Sequence, residues 1–256
     1  MRSAQRVVSV SLGTTVSRRD GLLDIRAVES IASQFCNLAS MGWKVAGVVG
    51  AGGLGRQVAD VARRFDRDKR GIDSIQIRAS RVNAFLLLEA IRRLGAWVNS
   101  EPLKNFREIG AFLESASLAG TRTSLERTGR VAVAGGLRLG LTSDSSAATL
   151  SMMLQCPLVI VSTVGGIFDT DGAQDEMGKR PKLLSSVDRN YIRRVANSRP
   201  NSHVLDRQTC DLLLSIPRSD RRNFFGVVTG YQNISKTMSY VGKLRRHQKF
   251  FTRLML

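Results

Sequence analysis

The chain passes from an apolar run directly into a glycine cluster at Val45-Ala46-Gly47-Val48-Val49-Gly50-Ala51-Gly52-Gly53-Leu54-Gly55-Arg56. The run is continuously apolar, which is typical of a strand buried on both faces of a parallel sheet. Glycine at the carboxyl end of such a strand lets backbone N–H groups approach phosphate oxygens, because no Cβ stands in the way. This stretch therefore predicts a phosphate-binding turn at the tip of a buried strand.

Other apolar runs of the chain also end in glycine. Strands are predicted at 7–12, 131–134 and 158–164, followed by Gly13, Gly135-Gly136 and Gly165-Gly166, and a late strand is predicted at 225–228. Amphipathic helices are predicted between the strands, at 25–38, 56–65, 82–94, 147–154 and 206–214. This alternation predicts an α/β fold, with a largely parallel sheet that binds a ligand beyond the carboxyl ends of its strands. Some of the glycines can equally be explained as simple strand terminators.

The glycine cluster also matches the dinucleotide-binding pattern G-x-G-x-x-G at Gly50, Gly52 and Gly55. That pattern requires an acidic residue about 20 positions later, at the end of the next strand. Asp73 lies near this distance, but it precedes the apolar run 75–77 instead of ending a strand. The pattern therefore gives little support to a dehydrogenase.

A second anion site is predicted where Thr142-Ser143-Asp144 begins a helix. Hydroxyl groups, free backbone amides and the positive end of the helix dipole coincide there. Asp144 can instead be an ordinary capping residue. Arg56, directly after the glycine cluster, is placed to bind a phosphate through two N–H groups, although it can also simply face solvent.

The composition is that of a folded chain and excludes several kinds of site. Of the 256 residues, 43% are apolar and 23% are charged. Three cysteines and two histidines are too few for a disulfide framework, a histidine triad or a multi-histidine metal centre, and no protein metal site is predicted. No apolar stretch reaches the 18 residues of a membrane span, so no membrane contact is expected.

The net charge of +18 is the unusual feature of the composition. It predicts a polyanionic partner, most simply RNA. A basic surface that only contacts solvent is the alternative.

No linker or internal repeat divides the chain, so we expect one domain over 1–242 and a basic tail over 243–256, either an amphipathic helix or an extended arm. The basic start, Met1 to Arg6, fits the remnant of a mitochondrial targeting segment, so we expect an organelle such as the mitochondrial matrix, or otherwise the cytoplasm.

Taken in order, these motifs resemble those of UMP kinases of the amino-acid-kinase superfamily, the archaeal form in particular. The matching segments are Gly13, Val48–Arg56, Arg81-Val82-Asn83-Ala84, Gly135-Gly136 with Thr142-Ser143-Asp144, Thr163–Asp171 and Val204-Leu205-Asp206. The resemblance implies a three-layer αβα sandwich that binds ATP, with Mg²⁺, and UMP end to end across the strand tips. It also implies assembly into homo-oligomers.

The resemblance assigns roles to individual residues. Gly13 would lie beside the transferred phosphoryl group, and Asp144 would organise the catalytic centre. The implied acceptor-nucleotide residues are Gly50, Gly52, Gly53, Arg56, Asn83 and Thr142. The implied ATP residues are Thr163, Phe168 and Asp171.

The sequence departs from the family pattern at the phosphoryl centre and on the ATP side. Ser11 stands where many members have a lysine, and Thr14 stands where they have a second glycine. An aspartate, a tyrosine and a proline are missing from the ATP-side segment. Two hypotheses therefore remain open: a nucleoside monophosphate kinase acting on UMP, and a non-catalytic kinase-fold component of an RNA–protein assembly such as a mitochondrial ribosome or its assembly machinery.

Overall fold

The computed structural model describes residues 6–17, 23–65, 68–115, 129–169, 182–197, 204–221, 224–239 and 251–256. The strands in these ranges are β1 (Val7–Gly13), β2 (Lys44–Val49), β3 (Val131–Ala134), β4 (Leu158–Val161), β5 (Ser186–Val187), β6 (Gly226–Thr229) and β7 (Phe251–Leu254). The helices are α1 (Ile25–Ser40), α2 (Gly52–Arg64), α3 (Lys69–Arg93), α4 (Phe106–Glu114), α5 (Ser143–Met153), α6 (Arg189–Asn197), α7 (Arg207–Ser215), α8 (Arg218–Arg221) and α9 (Ile234–Met238).

The strands form one sheet in the order β3-β2-β1-β4-β6-β7-β5. The first five strands in this order are parallel, so their carboxyl ends meet at one edge. At the other side of the sheet β7 runs antiparallel to β6. The predicted α/β fold with a largely parallel sheet is thus confirmed.

Alternate residues of β1 face two different hydrophobic cores. Val8, Val10 and Leu12 are fully buried in a core that includes residues of α1, α3 and α9. The core on the opposite face includes residues of α4, α5, α6 and α7. Helices therefore cover both faces of the sheet, which gives the predicted three-layer sandwich.

Two buried serines on β1 hold α5 against the sheet. The Ser9 hydroxyl donates to the Ala147 carbonyl over 2.8 Å, and the Ser11 hydroxyl donates to a carboxylate oxygen of Asp144. Both serines are fully buried. Because Asp144 lies in the first turn of α5, this pairing brings that turn to the carboxyl end of β1.

Several predicted element limits change in the structure. Helix α2 begins at Gly52, four positions before the predicted start, and α3 extends back to Lys69 because the Asp68 side chain caps it by accepting from the Gly71 N–H over 2.8 Å. Asp73 is therefore helical and no strand ends near it. This removes the structural requirement of the dinucleotide pattern, and the dehydrogenase interpretation is wrong.

The end of the predicted basic tail belongs to the sheet. Phe251, Thr252 and Leu254 are buried in β7, so a helix is wrong for residues 251–253. Residues 240–250 lie outside the described ranges, and the proposed domain limit at 242 stays a prediction. No helix within the described ranges is long and apolar enough to cross a membrane.

Candidate active site

A cleft of about 1350 Å³ opens at the carboxyl ends of β1, β2, β3 and β4. Eight of the residues predicted from the sequence line it: Gly13, Gly50, Gly52, Arg56, Thr142, Asp144, Thr163 and Phe168. We call residues Gly50–Arg56 the glycine end of the cleft and residues Ser162–Asp169 the loop end. The first turn of α5 lies between them, beside Gly13.

The glycine end is fixed by close backbone packing against the tip of β1. The Gly50 N–H donates to the Gly13 carbonyl over 3.0 Å. A Cβ on Gly50 would lie only 2.2 Å from that carbonyl oxygen, so no larger residue fits without displacing backbone. Glycine here is required by the contact between two strand tips.

Helix α2 begins inside the cleft, and its N-cap residue, Ala51, makes no side-chain capping bond. Gly52 has a φ of +58°, and a Cβ there would lie 2.0 Å from the Ser17 hydroxyl oxygen. That oxygen accepts from the Gly53 N–H over 2.7 Å. Asn83 lies beneath the turn, and its Nδ2 donates to the carbonyls of Gly50 and Ala51 over 3.0 and 3.1 Å.

These contacts separate two kinds of residue within the predicted acceptor set. Gly50, Gly52 and Arg56 line the cleft, whereas Gly53 and Asn83 do not. In this structure Gly53 and Asn83 hold the turn in shape, with the Gly53 amide already bonded. Their direct contact with a nucleotide stays a prediction.

The N-terminus of α5 faces the middle of the cleft, and Thr142 caps it. The Thr142 hydroxyl accepts from the Ser145 N–H over 3.0 Å and donates to the Asp206 carboxylate over 2.8 Å. This hydroxyl is therefore committed to the cap. Ser143 and Asp144 line the cleft beside it, and among the described residues nothing accepts from their backbone N–H groups.

Asp144 carries the most perturbed carboxyl group of the site. Burial raises its pKa to about 7; the hydrogen bond from Ser11 opposes this, and the nearby Asp206 charge adds to it. Within the described ranges no basic side chain forms an ion pair with Asp144. Ser11, at the position where many members of the superfamily have a lysine, provides only a neutral donor.

Helix α7 holds the loop that leads into α5. Gln208 donates from Nε2 to the Gly140 carbonyl over 2.6 Å, and its Oε1 accepts from the Thr142 N–H over 3.2 Å. Asp206 caps α7 by accepting from the Thr209 N–H over 2.8 Å. Asp206 and Gln208 thus fix the position of the α5 N-terminus from a helix more than 60 residues away in sequence.

The loop end is partly exposed and is tied to β7 and to the segment that begins at Lys182. Thr163 and Val164 are exposed, and Phe168 forms an isolated bridge with Leu183. The Ile167 N–H donates to the Thr252 hydroxyl over 2.9 Å, and that hydroxyl donates to the Leu184 carbonyl over 2.7 Å. Asp171, the third predicted ATP residue, lies outside the described residues.

Several polar lining residues were not among the predicted site residues. They are Lys69, Asp73, Gln76, Arg138, Tyr191 and Gln208. Lys69, Asp73 and Gln76 come from the first two turns of α3, which the sequence pattern did not predict as helical. Arg138 follows the Gly135-Gly136 turn, so its place after a strand end was its only signal.

Comparison with known proteins agrees with this architecture. The model of the amino acid kinase family matches residues 7–198. A uridylate kinase of Haloquadratum walsbyi is 32% identical over 179 residues, covering 69% of this chain and 67% of the relative. One of Natronomonas pharaonis is 33% identical over 174 residues, covering 68% and 69%.

Solved structures share the fold at lower identity. The uridylate kinase of Archaeoglobus fulgidus superposes with a TM-score of 0.71 at 20% identity, covering 98% of this chain and 100% of that one. The UMP kinase of Ureaplasma parvum gives 0.65 at 18% identity, covering 100% of both chains. The sheet order, the glycine turns and the match over residues 7–198 together establish that the chain belongs to the amino acid kinase family.

Proposed function

We propose that this protein transfers a phosphoryl group from ATP to a nucleoside monophosphate, converting UMP to UDP. The observation that carries the proposal is the single cleft that joins the glycine end, the α5 N-terminus and the loop end. The choice of UMP is supported by relatives that are named uridylate kinases. A kinase of this kind needs two anionic ligands held in line, with little covalent chemistry from the protein.

The acceptor monophosphate would bind at the glycine end. Arg56 lines this end and is exposed, and Gly52, the first residue of α2, lines the cleft beside it. A guanidinium can donate two parallel hydrogen bonds to a phosphate. The Gly50–Gly13 contact would keep the acceptor close to the tip of β1, where transfer takes place.

The transferred group would lie between Gly13 and the first turn of α5. The free amides of Ser143 and Asp144 and the helix dipole favour negative charge there. Within the described residues no cluster of three His, Cys, Asp or Glu side chains could hold a metal alone. Mg²⁺ commonly uses one or two carboxylates together with substrate phosphates, so the Asp144 carboxylate suits the ATP-bound ion. When bound, Mg²⁺ would neutralise phosphate charge.

The proposal includes a slow chemical step. Ser11 offers a hydroxyl in place of a cation, and loss of one charged donor to a transition state costs roughly 10²- to 10³-fold in rate. Lys69 and Arg138 line the same cleft and supply positive charge to it. We expect turnover that depends on these side chains and remains below that of relatives with the lysine.

A direct assay tests the proposal. Purified protein, ATP, Mg²⁺ and UMP are expected to give ADP and UDP, with CMP, AMP and GMP as competing acceptors. Asp144→Asn serves as the matched inactive variant. No turnover together with no ATP- or UMP-dependent thermal shift would contradict the proposal.

The alternative is a non-catalytic kinase-fold component of an RNA–protein assembly. It is supported by the +18 charge and by the altered ATP-side sequence, while the comparisons give no support to a ribosomal role. This alternative predicts that the protein binds UMP without forming ADP. The kinase proposal is favoured because the cleft retains both ends and the central carboxylate.

Assembly and location are further parts of the proposal. Val82, Phe85 and Leu86 leave apolar side chains exposed along α3, which supports a homo-oligomer. Light scattering of the purified protein measures the oligomeric state.

Arg2 and Arg6 support an organellar location such as the mitochondrial matrix, which imaging of a carboxyl-terminal fluorescent fusion tests.

A further inference from the structure

Four arginines from two helices gather at the C-terminal end of α7. The Arg189 guanidinium donates from Nη2 to the Leu214 carbonyl, and the Arg221 Nε donates to the Ile216 carbonyl over 2.9 Å. These two carbonyls are two residues apart, so the two guanidinium groups lie close together. Arg193 follows Arg189 by one turn of α6, and Arg218 precedes Arg221 within α8.

The cluster is not neutralised within the described residues. None of the four arginines forms an ion pair with Asp or Glu there, although Asp188 and Asp220 are near in sequence. Asp188 instead caps α6 by accepting from the Tyr191 N–H over 2.8 Å. The Arg189 Nη1 is buried and has no hydrogen-bond partner. Burial and the charges of its three arginine neighbours lower the pKa of Arg189.

A structural role is clear for only two of the four arginines in the cluster. Arg189 and Arg221 satisfy carbonyls at the end of α7, which a helix terminus leaves without intrahelical partners. Arg193 and Arg218 are exposed and bond no carbonyl of that end. Among the described residues, Arg193 donates to Asn190 over 3.2 Å. None of the four lines the cleft, so the cluster is separate from the proposed active site.

We infer that this arginine cluster binds the phosphodiester backbone of a single-stranded nucleic acid. Guanidinium groups match phosphates through paired donors, and arginine makes up 31 of the 39 basic residues of the chain. The exposed residues of α6 are Arg189's neighbours Asn190, Arg193, Arg194 and Asn197, all polar. A lipid surface would require apolar residues beside the basic ones, and α6 exposes none. This inference goes beyond the proposed kinase activity and does not depend on it.

The test measures binding of fluorescein-labelled A20 RNA by anisotropy at several salt concentrations. Arg193→Gln with Arg218→Gln removes two charges without touching the α7 end. We expect about a tenfold loss of affinity and a decrease of about 1.4 in the slope of log K against log salt, because each neutralised phosphate of a single strand contributes about 0.7. Kinase activity is expected to stay unchanged.

A control variant removes the same charge elsewhere. Arg26→Gln with Arg107→Gln changes exposed arginines of α1 and α4, and less than a threefold loss of affinity is expected. Equal losses in the two double variants would overturn the inference, because general surface charge would then explain the binding. Displacement of the RNA by polyglutamate or by phosphatidylserine vesicles at equal charge concentration, or by UMP, would overturn it as well.

Discussion

The two ends of the cleft are stabilised in different ways. At the glycine end, backbone lies directly on backbone: Gly50 bonds Gly13, and Asn83 and Ser17 hold the turn from below. At the loop end, Thr163 is exposed and Ile167 is held through the hydroxyl of a distant residue, Thr252. An added Cβ on Gly50 would thus meet backbone, whereas an added Cβ on Gly166 at the loop end would meet the Leu183 side chain, which can move.

The ATP-side departures from the family pattern fall at the loop end, whereas Ser11 and Thr14 lie at the tip of β1. The glycine cluster and Arg56 are retained, and the losses fall at Ser11, Thr14 and the ATP-side segment. Residues whose substitution would force backbone apart are retained for structural reasons alone. Retention of the glycine end is therefore weaker support for catalysis than retention of Asp144, whose burial raises the pKa of its carboxyl group and is only partly compensated by the Ser11 hydroxyl.

Asp144 provides the largest expected effect, because it lies where the two ends meet. Its pKa is about 7 in the folded protein against an ordinary value of 3.8, so the folded state binds the proton more tightly. The unfolding free energy should then fall as pH rises from about 4 to about 7, by up to about 4 kcal/mol. Asp144→Asn removes this fall, because the amide does not ionise.

Denaturant unfolding of both proteins from pH 4 to pH 8 measures this difference. The unfolding free energy of the variant, relative to that of the native protein, should increase as pH rises and should stay constant above about pH 7. Its turnover should drop at least about a hundredfold, with KM for UMP little changed and KM for ATP raised, because the Asp144 carboxylate would hold the ATP-bound Mg²⁺. A pH-independent difference in stability would show that the Asp144 carboxyl is not buried as described.

Gly50→Ala tests the packed end. The new methyl group would lie 2.2 Å from the Gly13 carbonyl oxygen, and because this neighbour is backbone, no side-chain rotation can relieve the clash. We expect a loss of about 3 kcal/mol in the free energy of unfolding, together with weaker UMP binding. Thermal denaturation and UMP titration measure both effects.

A glycine in open space provides the matched control. Gly110 lies in α4, and a Cβ there would meet nothing within 4 Å. Gly110→Ala should raise stability by up to about 1 kcal/mol, through helix propensity and a more restricted unfolded chain. If the two alanine variants behaved alike, the close contact between Gly50 and Gly13 would not exist in solution.

Local sequence patterns were enough to predict the parallel sheet and the position of the cleft. Continuously apolar runs fix the buried strands, and glycines after them mark the strand tips. Strand β7, which lies between β6 and β5 in the sheet, was missed because Phe251 and Leu254 occur within a basic segment. Its position depends on antiparallel pairing with β6, which local periodicity does not encode.

The detailed contacts of the site were beyond sequence reasoning for a related reason. Ser11 and Asp144 are 133 residues apart, and Thr142 and Asp206 are 64 residues apart. Such pairs become visible only when the strand order is known. In the structure the Thr142 hydroxyl caps α5 and is tied to α7, and its predicted place near the acceptor phosphate stays a prediction.

Arg56→Gln tests whether the glycine end binds the acceptor nucleotide and not ATP. If Arg56 binds the acceptor phosphate, the loss of a charge-assisted hydrogen bond should raise KM for UMP by about 10- to 100-fold. KM for ATP should change less than about threefold. Steady-state kinetics with each substrate varied in turn measure the two constants.

Arg63→Gln is the control on the same helix. Arg63 is exposed, pairs with Asp60 and does not line the cleft. Its substitution should change neither constant by more than about twofold. Equal effects of the two substitutions would mean that general charge on α2, rather than one guanidinium, attracts the nucleotide.

Thr252→Val should give the smallest effect and act on the loop end alone. Valine has nearly the same shape but removes the acceptor of the Ile167 N–H and the donor to the Leu184 carbonyl. Leaving these groups unpaired should cost about 1–2 kcal/mol of stability and raise KM for ATP about threefold, with KM for UMP unchanged. Thr237→Val is the control, since Thr237 is also fully buried but bonds Thr229 instead. A rise in KM for UMP rather than ATP in Thr252→Val would assign the nucleotides to opposite ends, because the Thr252 hydroxyl bonds Ile167, next to Phe168.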